Sequence, residues 1–184
     1  MRVVVTGAGG FVGRTLASRL PGCTRLSLGG ADWRAALERT EFRDATVFYL
    51  AARVHERGAR DGDWQRDNVD KTLALAEAAA RGGASRLVFA STIKVHGEET
   101  RGRPFREDDA MQPGTGYAAS KARAEIALRD WSQGTGLAVV TVRPALVFGA
   151  GAKANLHRLL RLADTPLPLP FASIENRRSW VHVE

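Results

Sequence analysis

Thr6-Gly7-Ala8-Gly9-Gly10-Phe11-Val12-Gly13 stands between a β-branched run, Arg2 to Thr6, and an apolar-periodic stretch, Phe11 to Leu20. A strand that turns straight into a helix leaves little room for side chains. The glycines at 7, 10 and 13 each answer a steric demand of that turn: a tight reversal, an open approach to the backbone, and close packing of helix on strand. The same geometry leaves amide N-H groups and the positive end of a helix dipole facing outward, which suits a diphosphate. A merely structural turn is the competing reading of these residues.

The rest of the chain repeats the strand-then-helix rhythm. Strands are expected at Arg2 to Thr6, Arg25 to Leu28, Ala45 to Leu50, Arg86 to Ser91 and Leu137 to Val142. Helices are expected at Phe11 to Leu20, Trp33 to Arg39, Trp64 to Arg81 and Tyr117 to Gln133. Short apolar strands alternating with longer helices predict an α/β fold, a doubly wound parallel sheet of Rossmann type. After Val147 the pattern changes: GAGAKAN opens a short helix through Leu162, TPLPLP forces extended chain, and a strand begins near Arg178. The change of texture divides the chain into residues 1–150, which carry the glycine loop and the strand–helix alternation, and residues 151–184.

At 184 residues the chain suffices for one domain with a sizeable core. Cys23 is the single cysteine, so no internal disulfide forms and a reducing compartment is expected. The N-terminus has no signal-peptide pattern, and no apolar stretch reaches the roughly 18 residues of a membrane span. A cytoplasmic location without a membrane span is the expectation. The net charge of +7 invites a nucleic-acid partner, yet only four of the 27 basic residues are Lys, and the Arg residues are scattered among acidic neighbours. The reading is therefore no nucleic acid, with small anionic ligands favoured.

Tyr117-Ala118-Ala119-Ser120-Lys121 puts a phenol and an ammonium on one helix face. The ammonium is expected to lower the Tyr117 pKa and fit it for acid/base work. The preceding strand ends in Ser91-Thr92, whose hydroxyls fall at the carboxyl edge of the sheet. An acidic residue about 20 positions beyond such a glycine loop bonds the adenosine ribose in this type of fold. The strand ending at Leu28 runs into Gly29-Gly30 instead. Asp32 is the nearest candidate, as a ribose contact or as a helix N-cap, so NAD and NADP both stay open.

With TGAGGFVG at 6–13, FYLAARVH at 48–55, DNVDKTLALAEAA at 67–79, ASTIKVHGE at 90–98, GYAASKARAE at 116–125 and VRPALVFGAG at 142–151, the chain resembles the extended short-chain dehydrogenases/reductases. It is most similar to bacterial UDP-sugar 4-epimerases and UDP-4-keto-sugar reductases of surface-polysaccharide pathways. The resemblance implies an NAD- or NADP-dependent enzyme acting at C4 of a UDP-hexose or UDP-N-acetylhexosamine, and a homodimer as a candidate assembly. It implies Thr92, Tyr117 and Lys121 as catalytic residues. Gly7, Gly10, Phe11, Val12 and Gly13 would surround the pyrophosphate, and Leu50, Ala51 and Ala52 the adenosine. Asn68 would brace the strands beside the cofactor, Pro144 would shape the nicotinamide pocket, and Lys121 would also hold its ribose.

Among the residues that would meet the UDP-sugar, the resemblance points to Thr92, Asn155 and Arg178, with Lys153 and Arg177 as neighbours. His96 reads as a variation in the pocket wall. Relatives that dehydrate their sugar carry Asp-Glu directly after the catalytic Thr; here Ile93 and Lys94 follow, which speaks against a 4,6-dehydratase. Two departures stand out. One strand and its helix are expected to be missing between the first helix and Val47, and the C-terminal substrate lobe is expected to be largely missing after Glu184. A non-catalytic dinucleotide-binding remnant is the alternative to an enzyme.

Overall fold

A computed structural model describes residues 2–54, 58–100, 102–152, 161–165 and 177–184. Five parallel strands form the main sheet: β1 (Arg2–Thr6), β2 (Thr24–Leu26), β3 (Ala45–Tyr49), β4 (Arg86–Ala90) and β5 (Ala138–Val142), in the order β2-β1-β3-β4-β5. The register runs Val4 against Val47, Val47 against Leu87, and Leu87 against Val139, so apolar residues line up across the sheet. β1 is an interior strand, and Val4 and Val5 are both fully buried, as expected of a strand covered on both faces.

Helices α1 (Phe11–Arg19), α2 (Trp33–Arg39), α3 (Asp61–Trp64), α4 (Lys71–Arg81) and α5 (Gly116–Ser132) make the crossovers. Leu37 of α2, Leu75 and Ala79 of α4, and Leu128 of α5 join Val4, Val47, Tyr49, Leu87 and Phe89 in one buried cluster. A separate parallel pair, β6 (Leu146–Phe148) with β7 (Trp180–His182), lies beyond β5 in sequence.

Most sequence expectations fall within a residue or two of these boundaries, but three need correction. β2 ends at Leu26, because Ser27 to Gly30 leave the sheet as a turn. The single helix expected over Trp64 to Arg81 is three pieces: α3, a π-helical turn at Gln65–Asp70, and α4. Widened turns of this kind mark places where a helix face is re-aimed. Asp32 occupies the N-cap position of α2, yet its side chain makes no capping bond. Between α1 and Val47 only β2 and α2 are present, and β2 is the edge of the sheet, in agreement with the missing strand and helix. The turn expected to open a helix after GAGAKAN lies mostly outside the described residues, which show a helical turn at 161–163.

The strand order reverses between β1 and β3, and there the two carboxyl ends are tied by one hydroxyl. Thr6, fully buried, accepts hydrogen bonds at Oγ1 from the amides of Leu50 (3.1 Å) and Ala51 (3.2 Å). Thr6→Val keeps the shape and strands both amides. It should lower the denaturant midpoint by the equivalent of about 1–3 kcal/mol with an unchanged m-value.

Candidate active site

The glycine loop leaves β1 at that crossing point. Gly7 has φ +66°, and a Cβ on it would lie 2.7 Å from the Ala51 nitrogen and 2.8 Å from the Leu50 carbonyl carbon. Gly13, one turn into α1, is equally constrained: a Cβ there would fall on the Gly7 carbonyl group. Gly10 N donates to Gly7 O (2.8 Å), and Gly10 is the N-cap of α1, where no side chain caps the helix. The first-turn amides are thus left to an external acceptor, in a cradle that a Cβ would fill. These features fit the pyrophosphate of a dinucleotide. Phe11 and Val12 begin α1 beside it, with Val12 exposed.

Beside the loop, the carboxyl ends of the strands border a cavity of about 640 Å³ lined by Leu28, Gly29, Trp33, Ala51, Ala52 and Lys71, among others. Ala51 and Ala52, two of the residues expected on the adenosine side, line this cavity. Leu50 does not line the cavity; its carbonyl backs onto Gly7. Exposed Asp32 is also absent from the lining, although Ala31 and Trp33 on either side belong to it.

Thr92 follows β4 and opens a 3₁₀ turn, Ile93–Val95, its Oγ1 accepting from Lys94 N at 3.3 Å. Ile93 N donates to the carbonyl of Pro144 (3.0 Å), which fixes Pro144 beside that turn. α5 packs against the same turn. Its N-cap, Thr115, accepts from Ala118 N (3.2 Å), and its first residue is Gly116, where a Cβ would lie 2.9 Å from Trp64 Nε1. The absence of a side chain at 116 admits the indole, whose ring centroid is 6.4 Å from that of half-buried Tyr117.

Lys121, one turn along α5, is 1% exposed, with its ammonium 4.1 Å from the centroid of Phe89 in β4. The Tyr/Lys helix and the Thr92 turn are thereby held at one sheet edge. Burial pulls the Lys121 pKa down to about 7, against the opposing field of Glu125. Burial also raises the Tyr117 pKa. The expectation that the ammonium lowers the phenol is overturned in the cofactor-free chain, because desolvation disfavours both charged forms.

Asn68, 1% exposed in the π turn, neither caps a helix nor faces solvent. It accepts from Arg53 N (2.8 Å) and donates to Arg53 O (3.0 Å) and to Ser120 Oγ (2.8 Å), and Ser120 in turn donates to the Tyr117 carbonyl (2.7 Å). The chain leaving β3 is thus coupled to the helix bearing Tyr117. His96 is buried, stacked on Phe105, and its Nε2 lies 3.0 Å from Arg143 Nη1. Because Arg only donates, Nε2 is the acceptor in that contact.

Several contributors escaped the sequence reading. Arg53, Asp67 and Lys71 form a charged cluster in the cavity wall, Trp64 fits against Gly116, and Glu125 holds Arg143 through a 2.6 Å ion pair. Only Asp67 and Lys71, spaced i, i+4, left a readable signal. Of the expected sugar contacts, Asn155 and Lys153 lie outside the described residues, while Arg177 and Arg178 are exposed in the segment leading to β7. Among the described residues no cluster of His, Cys, Asp or Glu could hold a metal ion, and no helix is long and apolar enough to cross a membrane.

A doubly wound sheet with a glycine cradle at its switch point, facing a helix that carries Tyr and Lys, defines a Rossmann-type dinucleotide-binding domain. Residues 3–184 match the NAD dependent epimerase/dehydratase family. The UDP-glucose 4-epimerase of Vibrio cholerae is 38% identical over 143 residues, 74% of this chain and 44% of that protein. The solved UDP-glucose 4-epimerase of Thermus thermophilus in complex with NAD superposes with a TM-score of 0.74 at 27% identity, covering all of this chain and 71% of that one. RMD from Pseudomonas aeruginosa complexed with NADPH gives 0.70 at 28% identity, covering 83% and 57%. The chain belongs to the NAD-dependent epimerase/dehydratase family, within the extended short-chain dehydrogenases/reductases. It spans less than half the length of the Vibrio relative.

The Lys121 shift has a sign that calorimetry can check. Between about 7 and 10.5 the unfolded chain holds a proton that the folded chain has lost, so stability rises with pH through that window. Lys121→Met should stabilise the cofactor-free chain by about 1–2 kcal/mol near neutrality and flatten that rise. Thermal melts at about pH 7 and about pH 10 measure both effects.

Proposed function

We propose that this chain is the cofactor-binding and catalytic part of a nucleotide-sugar 4-epimerase, working on a UDP-hexose or UDP-N-acetylhexosamine with NAD or NADP. The observation that supports this best is the placement of Tyr117 and Lys121 on α5, with Lys121 seated over Phe89 of β4 next to the Thr92 turn. In this reading residues 1–150 bind the cofactor and do the chemistry, and 151–184 begin the part that holds the sugar nucleotide.

When bound, a nicotinamide would supply the hydride acceptor and donor for the sugar carbinol carbon. Tyr117 takes the proton of the C4 hydroxyl as the carbon loses its hydride, leaving a 4-keto sugar, and gives the proton back when the hydride returns to the opposite face. Thr92, at the lip of β4, hydrogen-bonds the same oxygen. Lys121 titrates near neutrality and supplies the positive charge that favours the phenolate once substrate has displaced water. Gly7, Gly10, Phe11, Val12 and Gly13 would hold the pyrophosphate, Ala51 and Ala52 the adenosine and Pro144 the nicotinamide, and Asn68 would keep these parts in register. Asn155 and Arg178 are the proposed contacts for the sugar nucleotide, Arg because its planar fork matches a diphosphate.

Tyr117→Phe should lower UDP-sugar turnover by at least about a hundredfold while cofactor still binds. Incubation with UDP-glucose and UDP-N-acetylglucosamine, read by NMR for the C4 epimer, gives the turnover, and cofactor fluorescence gives the binding. Turnover unaffected by the substitution would refute the acid/base assignment. Consumption of a UDP-4-keto-6-deoxy sugar with reduced cofactor, and of neither hexose, would make the chain a reductase.

A further inference from the structure

The cavity beside the glycine loop is electrically lopsided. A dinucleotide in this type of fold presents its adenosine ribose to the exit of the second strand, where a carboxylate selects a 2′-hydroxyl and cations select a 2′-phosphate. Here that exit is Leu28-Gly29-Gly30-Ala31, with no side-chain acid. Arg53, Arg66 and Lys71 line the cavity, and among the described residues Asp67 is the one carboxylate that does.

Asp67 is already occupied on both oxygens. Lys71 Nζ (2.9 Å) and Arg66 Nε (3.3 Å) reach Oδ1, while Arg53 Nη2 (2.7 Å) and Nε (2.8 Å) reach Oδ2. Burial raises its pKa, but the bonds from Lys71, Arg53 and Arg66 outweigh that and hold it at about 2. An ionised carboxylate so encircled has little left for a ribose hydroxyl, and the cations around it exceed it in number. Lys71 also donates to the Leu28 carbonyl (3.0 Å), which brings its ammonium to the β2 exit, and Arg66 shares Asp63 (2.9 Å).

Exposed Arg34, itself outside the lining, holds its guanidinium 4.3 Å from the ring centroid of Trp33, which does line the cavity, and makes no ion pair among the described residues. Its planar fork of donors suits a phosphate. Asp32, two residues before Arg34, is likewise exposed and outside the lining.

We propose that the chain selects a 2′-phosphorylated dinucleotide, NADP(H) over NAD(H), with Arg34, Arg66 and Lys71 taking the phosphate at the β2 end of the cavity. This rests on the reading of the domain as a dinucleotide site and decides which dinucleotide it takes.

Isothermal titration of the 184-residue chain with NADPH, NADH, 2′,5′-ADP and 5′-AMP tests it without any turnover. NADPH should bind at least about tenfold more tightly than NADH, and 2′,5′-ADP likewise more tightly than 5′-AMP. The ratio should shrink as salt screens the cations. Arg34→Ala combined with Arg66→Gln should bring it to about threefold or less. Equal affinities, or tighter NADH through Asp32, overturn the proposal and leave the cofactor site standing. Binding of neither dinucleotide overturns that site and the proposal with it. A tenfold ratio that the double variant does not move overturns the assignment to these arginines.

Discussion

The approach of the Gly7 backbone to the start of the segment after β3 sets the terms for everything around it. With 2.7 Å between a hypothetical Gly7 Cβ and the Ala51 nitrogen, Gly7 meets the chain leaving β3 backbone to backbone. The Thr6 hydroxyl satisfies the two amides that this contact buries. From that junction α1 leaves on one side with its first amides uncapped, and residues 51–54 leave on the other to form part of the cavity wall. A ligand bridging loop and cavity thus meets two surfaces held in fixed relation by one residue.

A second constraint runs through α5. Lys121 is buried against Phe89, and its charge is expensive in the cofactor-free fold, as its depressed pKa records. Structural need alone would place an apolar side chain there. The surroundings accept the ammonium without neutralising it, since Glu125, the nearby carboxylate, is itself held by Arg143 at 2.6 Å. Electrostatic strain of this kind is typical of residues kept for chemistry. The hydrogen bonds of Asn68 to Arg53 and to Ser120, which in turn donates to the Tyr117 carbonyl, tie α5 to the chain leaving β3.

Much of this was legible in the chain itself. β-branched runs set off by glycines located all five strands of the main sheet, and the glycine spacing located the switch point, because each of those features is a local steric demand. The i, i+4 spacing put Tyr117 and Lys121 on one face but could not report how dry that face is, and the direction of the Tyr117 shift came out reversed. Asp32 shows the same limit: its position at the start of α2 was readable, its failure to cap was not. The cavity cations were hidden for another reason. Arg53 comes from a strand exit, Arg66 from a π turn and Lys71 from α4, and only the crossover that folds α3 to α4 back over the sheet brings them together. Trp64 and Gly116 meet across the same crossover, far apart in sequence.

β5, the outer strand opposite β2, adds a colloidal consequence. Among the described residues no strand pairs with its outer side, Val140 and Val142 on it are 44% and 45% exposed, and an edge with apolar side chains is a template on which another strand can pair. Edges of this kind are usually blunted by a bulge, a proline or an inward-pointing charge; the described β5 sequence, AVVTV, has no proline or charged residue. A net charge of +7 opposes such pairing, acting at a distance over a surface strewn with arginine. The basic composition thereby works as mutual repulsion between molecules, strongest in dilute buffer and weakening as ions shorten its reach.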